Sequence, residues 1–99
     1  MPYVKSVNSL MSLINIEIYT KDDCHLCKSA KGVLMSVASD YPLRITEIDI
    51  TKDEKIYSEF KESIPVVFIN KKREFIYKVH EITLRKKLDK LINYQGEKP

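Results

Sequence analysis

The spacing of apolar residues changes abruptly within residues 13–41, and this change limits the folds open to the chain. Ile14, Ile16 and Ile18 alternate with other residues, which is the pattern of a strand with one buried face. A helical stripe with spacings of three, four and seven follows: Leu26, Ala30, Val33, Leu34, Val37 and Tyr41. A strand followed directly by an amphipathic helix is typical of a layered α/β domain.

Later segments continue this alternation of strands and helices. Pro42 ends the first helix near Asp40. The remaining elements are a strand marked by Ile45, Ile48 and Ile50, a helix with Ile56, Tyr57 and Phe60, strands over 66–69 and 73–79 joined by a hairpin at 70–72, and a helix with Leu84, Leu88, Leu91 and Ile92. The order β-α-β-α-β-β-α predicts an α/β fold, with a mixed four-stranded sheet, helices on both faces and two right-handed β-α-β crossings.

Two local features refine this prediction. Thr51 and Glu54 have the spacing of a capping box at the start of the second helix. Gly32 within the first helix suggests close packing on the sheet, since glycine otherwise weakens a helix. Residues 1–12 lack periodicity and are predicted to form a loosely ordered N-terminal arm, which leaves residues 13–99 as one domain.

Composition excludes several classes of function. The 99 residues suffice for one small domain, and 43% hydrophobic with 31% charged residues is an ordinary globular composition. The net charge is +3, and cations alternate with anions along the chain, so we expect no nucleic-acid partner. No apolar run has the length of a membrane span, and residues 1–13 lack the features of a secretory signal. We therefore expect a cytoplasmic protein without a membrane partner.

Cys24 and Cys27 are the only cysteines, and they lie between the first strand and the first helix. In a reducing compartment, such a pair is more often redox-active or metal-binding than structural. Cys24 stands at the predicted helix N-terminus, where unpaired N–H groups and the helix dipole favour a thiolate. With hydrogen bonds from the Leu26 and Cys27 amides, we expect the pKa of Cys24 to fall to about 7.

These positions predict thiol–disulfide exchange, with Cys24 as the nucleophile and Cys27 as the resolving thiol. His25, directly after the nucleophile, either stabilises the thiolate when protonated or is a solvated loop residue. Pro65 opens the third strand and is a candidate for a cis peptide bond. Such a turn would leave the Ile64 backbone free to pair with an extended peptide or with glutathione.

Two separated segments resemble the glutaredoxins of the thioredoxin superfamily. Residues 19–27 are similar to the glutaredoxin pattern Tyr-Ser/Thr-Lys-x-x-Cys-Pro-Tyr-Cys, and residues 63–69 are similar to Thr-Val-Pro-x-Val-Phe-Ile. The resemblance covers about residues 13–93 and implies a thioredoxin-like fold. It implies that Cys24 is the nucleophile, Cys27 the resolving thiol, Pro65 the cis-proline, and Lys21 a contact for the glycine carboxylate of glutathione.

The resemblance also has departures that bear on glutathione. Glutaredoxins carry Gly-Gly and then Asp before the last helix, whereas residues 75–81 here are Phe-Ile-Tyr-Lys-Val-His-Glu. Bulky side chains stand where the backbone would approach the γ-glutamyl end, although Glu81 partly replaces the acid. The Cys-His-Leu-Cys segment resembles the active-site segment of a divergent branch of glutaredoxin-like proteins. Glutathione thus remains a possible co-substrate with incomplete contacts.

The sequence leaves two classes of function open. The leading hypothesis is a monomeric dithiol oxidoreductase without a bound cofactor. It would act on disulfides of proteins or small thiols and receive electrons from a thiol or a flavoprotein reductase. The alternative is a module that binds zinc, an iron–sulfur cluster or a partner without turnover. Zinc needs about four ligands, and the two cysteines with His25 and His80 do not make a convincing set, so no metal ligands are predicted.

Overall fold

Strands and helices follow one another in the predicted order. The computed structural model describes the backbone of residues 13–96 and the side chains of residues 13–92. The elements are β1 (Ile14–Thr20), α1 (His25–Ala38), β2 (Leu43–Asp49), a 3₁₀ turn (Ile50–Lys52), α2 (Glu54–Phe60), β3 (Val66–Ile69), β4 (Lys72–Ile76) and α3 (Glu81–Gly96). The α/β fold class is thereby confirmed, while the expected arm at residues 1–12 lies outside the described residues.

The four strands form one mixed sheet in the order β2-β1-β3-β4. β1 pairs with β2 in parallel and with β3 antiparallel, and β4 closes an antiparallel hairpin with β3. β3 therefore runs opposite to β2, and the prediction of a second β-α-β crossing between parallel strands is wrong. Apolar periodicity locates a strand and its buried face, but it carries no information on strand direction.

Helices cover both faces of this sheet, as predicted. On one face Ile14, Ile16 and Ile18 are fully buried, in a cluster that includes Leu34 of α1 and Leu88 of α3. Burying each such side chain contributes about 1.5–3 kcal/mol, so this cluster is the main source of stability. On the other face aromatic rings from β1, α2 and β3 meet.

Those aromatic rings belong to Tyr19, Phe60 and Phe68. The ring centroids of Tyr19 and Phe60 lie 4.5 Å apart, and those of Tyr19 and Phe68 lie 5.4 Å apart. Offset and edge-to-face pairs at these distances stabilise a fold beyond the area they bury. The second, smaller core at this face extends toward the cysteines.

Helix α2 begins differently from the prediction. Asp53, not Thr51, is its N-cap, and the Asp53 carboxylate accepts hydrogen bonds from the amides of Lys55 (2.8 Å) and Ile56 (3.0 Å). Thr51 belongs instead to the preceding 3₁₀ turn, whose cap is Asp49. The predicted capping box is therefore wrong, because a short turn separates β2 from α2 and shifts the helix start.

The Gly32 prediction is also wrong. Gly32 is exposed on α1, and a Cβ built on it meets no atom within 4 Å. Close packing therefore does not explain this glycine. Within residues 13–96, no helix combines the length and the apolar character needed to cross a bilayer.

The β3–β4 hairpin turns tightly through Asn70 and Lys71, whose φ angles are 48° and 72°. Two successive residues with positive φ match the twist of a hairpin with a two-residue loop. β4 ends at Ile76, earlier than the predicted 79, because Tyr77 adopts a φ of 69° and turns the chain toward α3.

Candidate functional site

The loop between β1 and α1 brings Cys24 to the start of the helix. Asp23 adopts a φ of 57°, which aspartate tolerates better than most residues. Cys24 follows with an extended backbone (φ −115°, ψ 104°) and is the N-cap of α1. The sequence predicted that Cys24 lies at the helix N-terminus, and the geometry confirms this position.

Cys24 and Cys27 form a disulfide, with their Cα atoms 5.2 Å apart. The Cys27 amide donates a hydrogen bond to the Cys24 sulfur over 3.1 Å. Cys24 is half-buried, whereas Cys27 is only 1% exposed. Of the two amides expected to contact the Cys24 sulfur, only that of Cys27 does so in the described part of the chain. The sulfur that a substrate can reach is therefore Cys24, with Cys27 behind it.

The peptide bond between Ile64 and Pro65 is cis, as the sequence suggested. Ile64 is buried in the second core together with Cys27, and Cys24 packs against this cluster. Within residues 13–96, neither the N–H nor the carbonyl of Ile64 takes part in a backbone hydrogen bond of the turns and loops. Both groups therefore lack a backbone partner in this part of the chain, in a residue that is 9% exposed overall.

Two predicted contact residues, Lys21 in the loop before α1 and His25 at the first position of α1, are both exposed. His25 lines a groove of about 260 Å³ that separates the start of α1 from residues 77–79. Leu26, 50% exposed, lines the same groove and places an apolar surface beside the disulfide. We call it the α1 groove; it begins at His25, the residue that follows Cys24, and neither cysteine lines it.

Tyr77 forms the opposite wall of the α1 groove and was not predicted to belong to the site. Its N–H donates to the Pro65 carbonyl over 2.8 Å, and its hydroxyl donates to the Glu62 carbonyl over 2.9 Å. The side chain therefore spans the loop that carries the cis-proline. No sequence signal indicates this position, since a positive φ at a tyrosine is rare.

A polar network below the cysteine loop ties β1, β2 and α1 together. The Glu47 carboxylate accepts a hydrogen bond from Lys31 Nζ (2.8 Å) and another from Thr20 Oγ1 (2.9 Å). The bonds from Lys31 and then Thr20 lower the pKa of Glu47 below its ordinary value. Thr20 is buried and Lys31 lies one turn beyond Cys27, so the network fixes α1 against the end of β1.

Metal binding has no preformed site among the described residues, where no three His, Cys, Asp or Glu side chains gather around one point.

Comparison with known proteins supplies a family. A family model described as "Glutaredoxin-like domain (DUF836)" matches residues 15–89. The chain is 34% identical over 100 residues to "Glutaredoxin-like protein YDR286C homolog" of Dictyostelium discoideum, across 95% of this chain and 92% of that protein. The site residues from the cysteine loop to Tyr77 fall within the matched range.

Solved structures agree on the fold. A structural genomics target from X. campestris, XcR50, superposes with a TM-score of 0.64 at 27% identity, over 76% of this chain and 96% of that chain. The germline-specific thioredoxin Deadhead of Drosophila melanogaster superposes with a TM-score of 0.59 at 21% identity, over 90% of each chain. At that identity the second similarity establishes the fold alone.

Proposed function

This chain belongs to the glutaredoxin-like family, and on that premise we propose that it is a dithiol oxidoreductase that reduces or exchanges disulfides. The observation that carries the proposal is the position of Cys24, which caps α1 with its sulfur facing the Cys27 amide. A thiolate formed there gains a hydrogen bond and the favourable end of the helix dipole, and both lower the pKa of a thiol.

In the proposed reaction the Cys24 thiolate attacks one sulfur of a substrate disulfide, and the other substrate sulfur leaves as a thiolate. The Cys27 thiol then loses its proton, and its sulfur attacks Cys24 in the mixed disulfide and expels the second substrate thiolate. Two electrons pass to the substrate, two protons neutralise the released thiolates, and the Cys24–Cys27 disulfide remains. The structure corresponds to this oxidised form.

The substrates we propose are disulfides of proteins or of small thiols. An extended chain beside Cys24 would pair with the free backbone groups of Ile64 and lie along the cis-proline, with Lys21 and His25 as flanking contacts. A thiol or a flavoprotein reductase would restore the dithiol in the cytoplasm. No bound cofactor is required, because both electrons reside on the two sulfurs, and the protein would act as a monomer.

Two serine variants test the proposal. Cys24→Ser should reduce disulfide reductase activity to background, because no nucleophile remains. Cys27→Ser should accumulate a mixed disulfide on Cys24, visible by mass spectrometry and released by dithiothreitol. If Cys27→Ser captures no thiol partner, the resolving role is refuted. Full activity of Cys24→Ser would refute the proposed chemistry altogether.

A metal assay separates the proposed enzyme from a metal-binding module. The purified protein should contain no stoichiometric zinc or iron, and its alkylation by iodoacetamide should depend only on reduction of the disulfide. Stoichiometric zinc that is lost in Cys27→Ser would favour the binding module over the enzyme.

A further inference from the structure

β4 lies at one edge of the sheet, and this edge carries unpaired backbone groups. β4 pairs with β3 on one side only, and none of the strands in residues 13–96 covers its other side. Every second residue of an antiparallel strand directs its N–H and carbonyl away from its partner strand. Such an edge is a template for another extended chain unless the protein blocks it.

A groove of about 540 Å³ lies between α3 and the hairpin end of β3 and β4. Its apolar lining includes Ile69 and Leu91, and its charged residues are Lys72, Glu74, Lys87 and Lys90. We call it the β4 groove. The β4 groove lies near Ile69, which pairs with Ile16 at one end of the β1–β3 ladder. The cysteines lie at the other end, where Val66 pairs with Tyr19. Three residue steps along β3 separate these ends, about 10 Å, so a chain in the β4 groove would leave the disulfide accessible.

The charge of the β4 groove is positive and only partly compensated. Lys87 Nζ lies 3.0 Å from a Glu74 carboxylate oxygen and is neutralised by it. Lys72 and Lys90 are exposed, and no carboxylate of the described side chains forms an ion pair with either. Two cations from different elements therefore line one groove without an ion pair to any described carboxylate.

Cations at an edge strand disfavour pairing with a basic strand and favour pairing with an acidic one. A second copy of this chain would bring the same lysines against the edge, and like charges directly opposite are destabilising. An acidic strand gains backbone hydrogen bonds from β4 and ion pairs with the two lysines. Nucleic acid would satisfy the charge, but it cannot pair with the backbone edge.

We propose that β4 and the β4 groove bind an extended acidic segment of a partner protein, which adds a fifth strand to the sheet. Because side chains of a strand alternate between faces, acidic residues at every second position would meet Lys72 and Lys90. Apolar residues between them would cover the exposed side of the edge. This site is separate from the cysteines, and binding there does not depend on the proposed redox function.

A model peptide provides the test. The probe is a fluorescein-labelled peptide of about eight residues, close to common strand lengths, with Glu and Val alternating and both ends blocked. Fluorescence anisotropy at low ionic strength should detect binding to the wild-type protein. Lys72→Glu/Lys90→Glu should weaken it about tenfold or more, since two attractive contacts become repulsive. The matched control Lys52→Glu/Lys55→Glu makes the same charge change on the exposed surface at the start of α2 and should bind like the wild type.

Two further probes separate the elements of the proposal. The same peptide N-methylated at alternate residues keeps its charge but cannot complete the backbone ladder, and it should bind several-fold more weakly. A single-stranded oligonucleotide of equal charge should bind more weakly than the acidic peptide. Equal binding of the unmethylated peptide by the charge-reversed and control variants would overturn the site. Equal binding of both peptides would overturn strand addition, and tighter binding of the oligonucleotide would overturn the acidic peptide as occupant.

Discussion

At the scale of single residues, Tyr77 is the position where we expect a substitution to change the choice of substrate most. It combines a φ of 69° with a ring that walls the α1 groove and a hydroxyl bonded to the Glu62 carbonyl. Glycine adopts such a φ without a steric penalty, so Tyr77→Gly removes the ring without distorting the backbone. Glutaredoxins carry glycines in this stretch, and the variant should admit glutathione.

We therefore predict that Tyr77→Gly raises kcat/KM with glutathione as electron donor about fivefold or more, a gain of roughly 1 kcal/mol in transition-state binding. The measurement is a glutathione-reductase-coupled assay with a small disulfide substrate. Tyr77→Phe, which keeps the ring but loses the hydroxyl bond, is the control and should behave like the wild type. An unchanged kcat/KM in Tyr77→Gly would show that the ring does not limit the reaction with glutathione.

The sequence predicted Cys24 but not Tyr77, and the difference has a physical cause. Cys24 lies where an alternating pattern gives way to a helical one, so its cap position follows from local periodicity. Tyr77 reaches the site through a backbone turn and through hydrogen bonds to Pro65 and Glu62, which are 12 and 15 residues away. Such long-range contacts leave no trace in residue spacing.

At the scale of elements, the start of α2 tests how a helix cap contributes to stability. The Asp53 carboxylate accepts two amide hydrogen bonds that no other group in the helix can satisfy. We predict that Asp53→Ala lowers the free energy of unfolding by about 1 kcal/mol, measured by urea denaturation. Glu54→Ala, the partner in the mispredicted capping box, should have a smaller effect. If Glu54→Ala lowered the free energy of unfolding more than Asp53→Ala, the result would support the capping box and contradict the Asp53 cap.

The network around Glu47 predicts a dependence of stability on pH. Hydrogen bonds from Lys31 and Thr20 lower the pKa of Glu47 below its value of 4.5 in an unstructured chain. The unfolded state therefore binds the proton more readily, and the stability from this group is present above pH 4.5 and lost as the pH falls through the lower, folded pKa. Because Glu47 is well exposed, solvent screening keeps the effect small.

The measurement is the free energy of unfolding of the wild type and of Glu47→Gln between pH 7 and pH 3. Glu47→Gln should be less stable than the wild type at pH 7, and the difference should shrink below pH 4.5. Glu62→Gln, an exposed carboxylate outside the network, provides the matched control and should show no such convergence. If the difference in the free energy of unfolding between the wild type and Glu47→Gln stayed constant from pH 7 to pH 3, the charge of the Glu47 carboxylate would not contribute to stability.

At the scale of the whole molecule, the order of elements could be derived from the sequence because each one buries a face with its own period. β3 was predicted with its observed bounds, since the apolar run from Val66 to Ile69 is closed by Pro65 and Asn70. The direction of β3 was predicted wrongly, because its antiparallel pairing with β1 rests on contacts between distant segments. The β4 groove was missed for the same reason, since its lysines come from a hairpin and from a separate helix.

The sheet divides the interior into two cores with different roles, which leads to a final prediction. Leu88 lies in the large core beneath α1 and α3, whereas Phe60 lies in the smaller core that contains Cys27 and Ile64. Leu88→Val and Phe60→Leu each remove little volume and should lower the free energy of unfolding by about 1–1.5 kcal/mol. Because a typical domain has about 5–15 kcal/mol of stability, both variants should remain folded.

The two variants should differ at the cysteines. In Phe60→Leu the support of Cys27 and of the cis-proline loop is altered, so we expect slower resolution of a mixed disulfide on Cys24. Leu88→Val should resolve the mixed disulfide at the wild-type rate, because Leu88 neither packs in the core that contains Cys27 nor lines the α1 groove. Stopped-flow measurement of resolution, on samples matched for folded fraction, distinguishes these outcomes. If both variants slowed resolution equally, the rate would follow global stability, and the smaller core would have no separate role in positioning the dithiol.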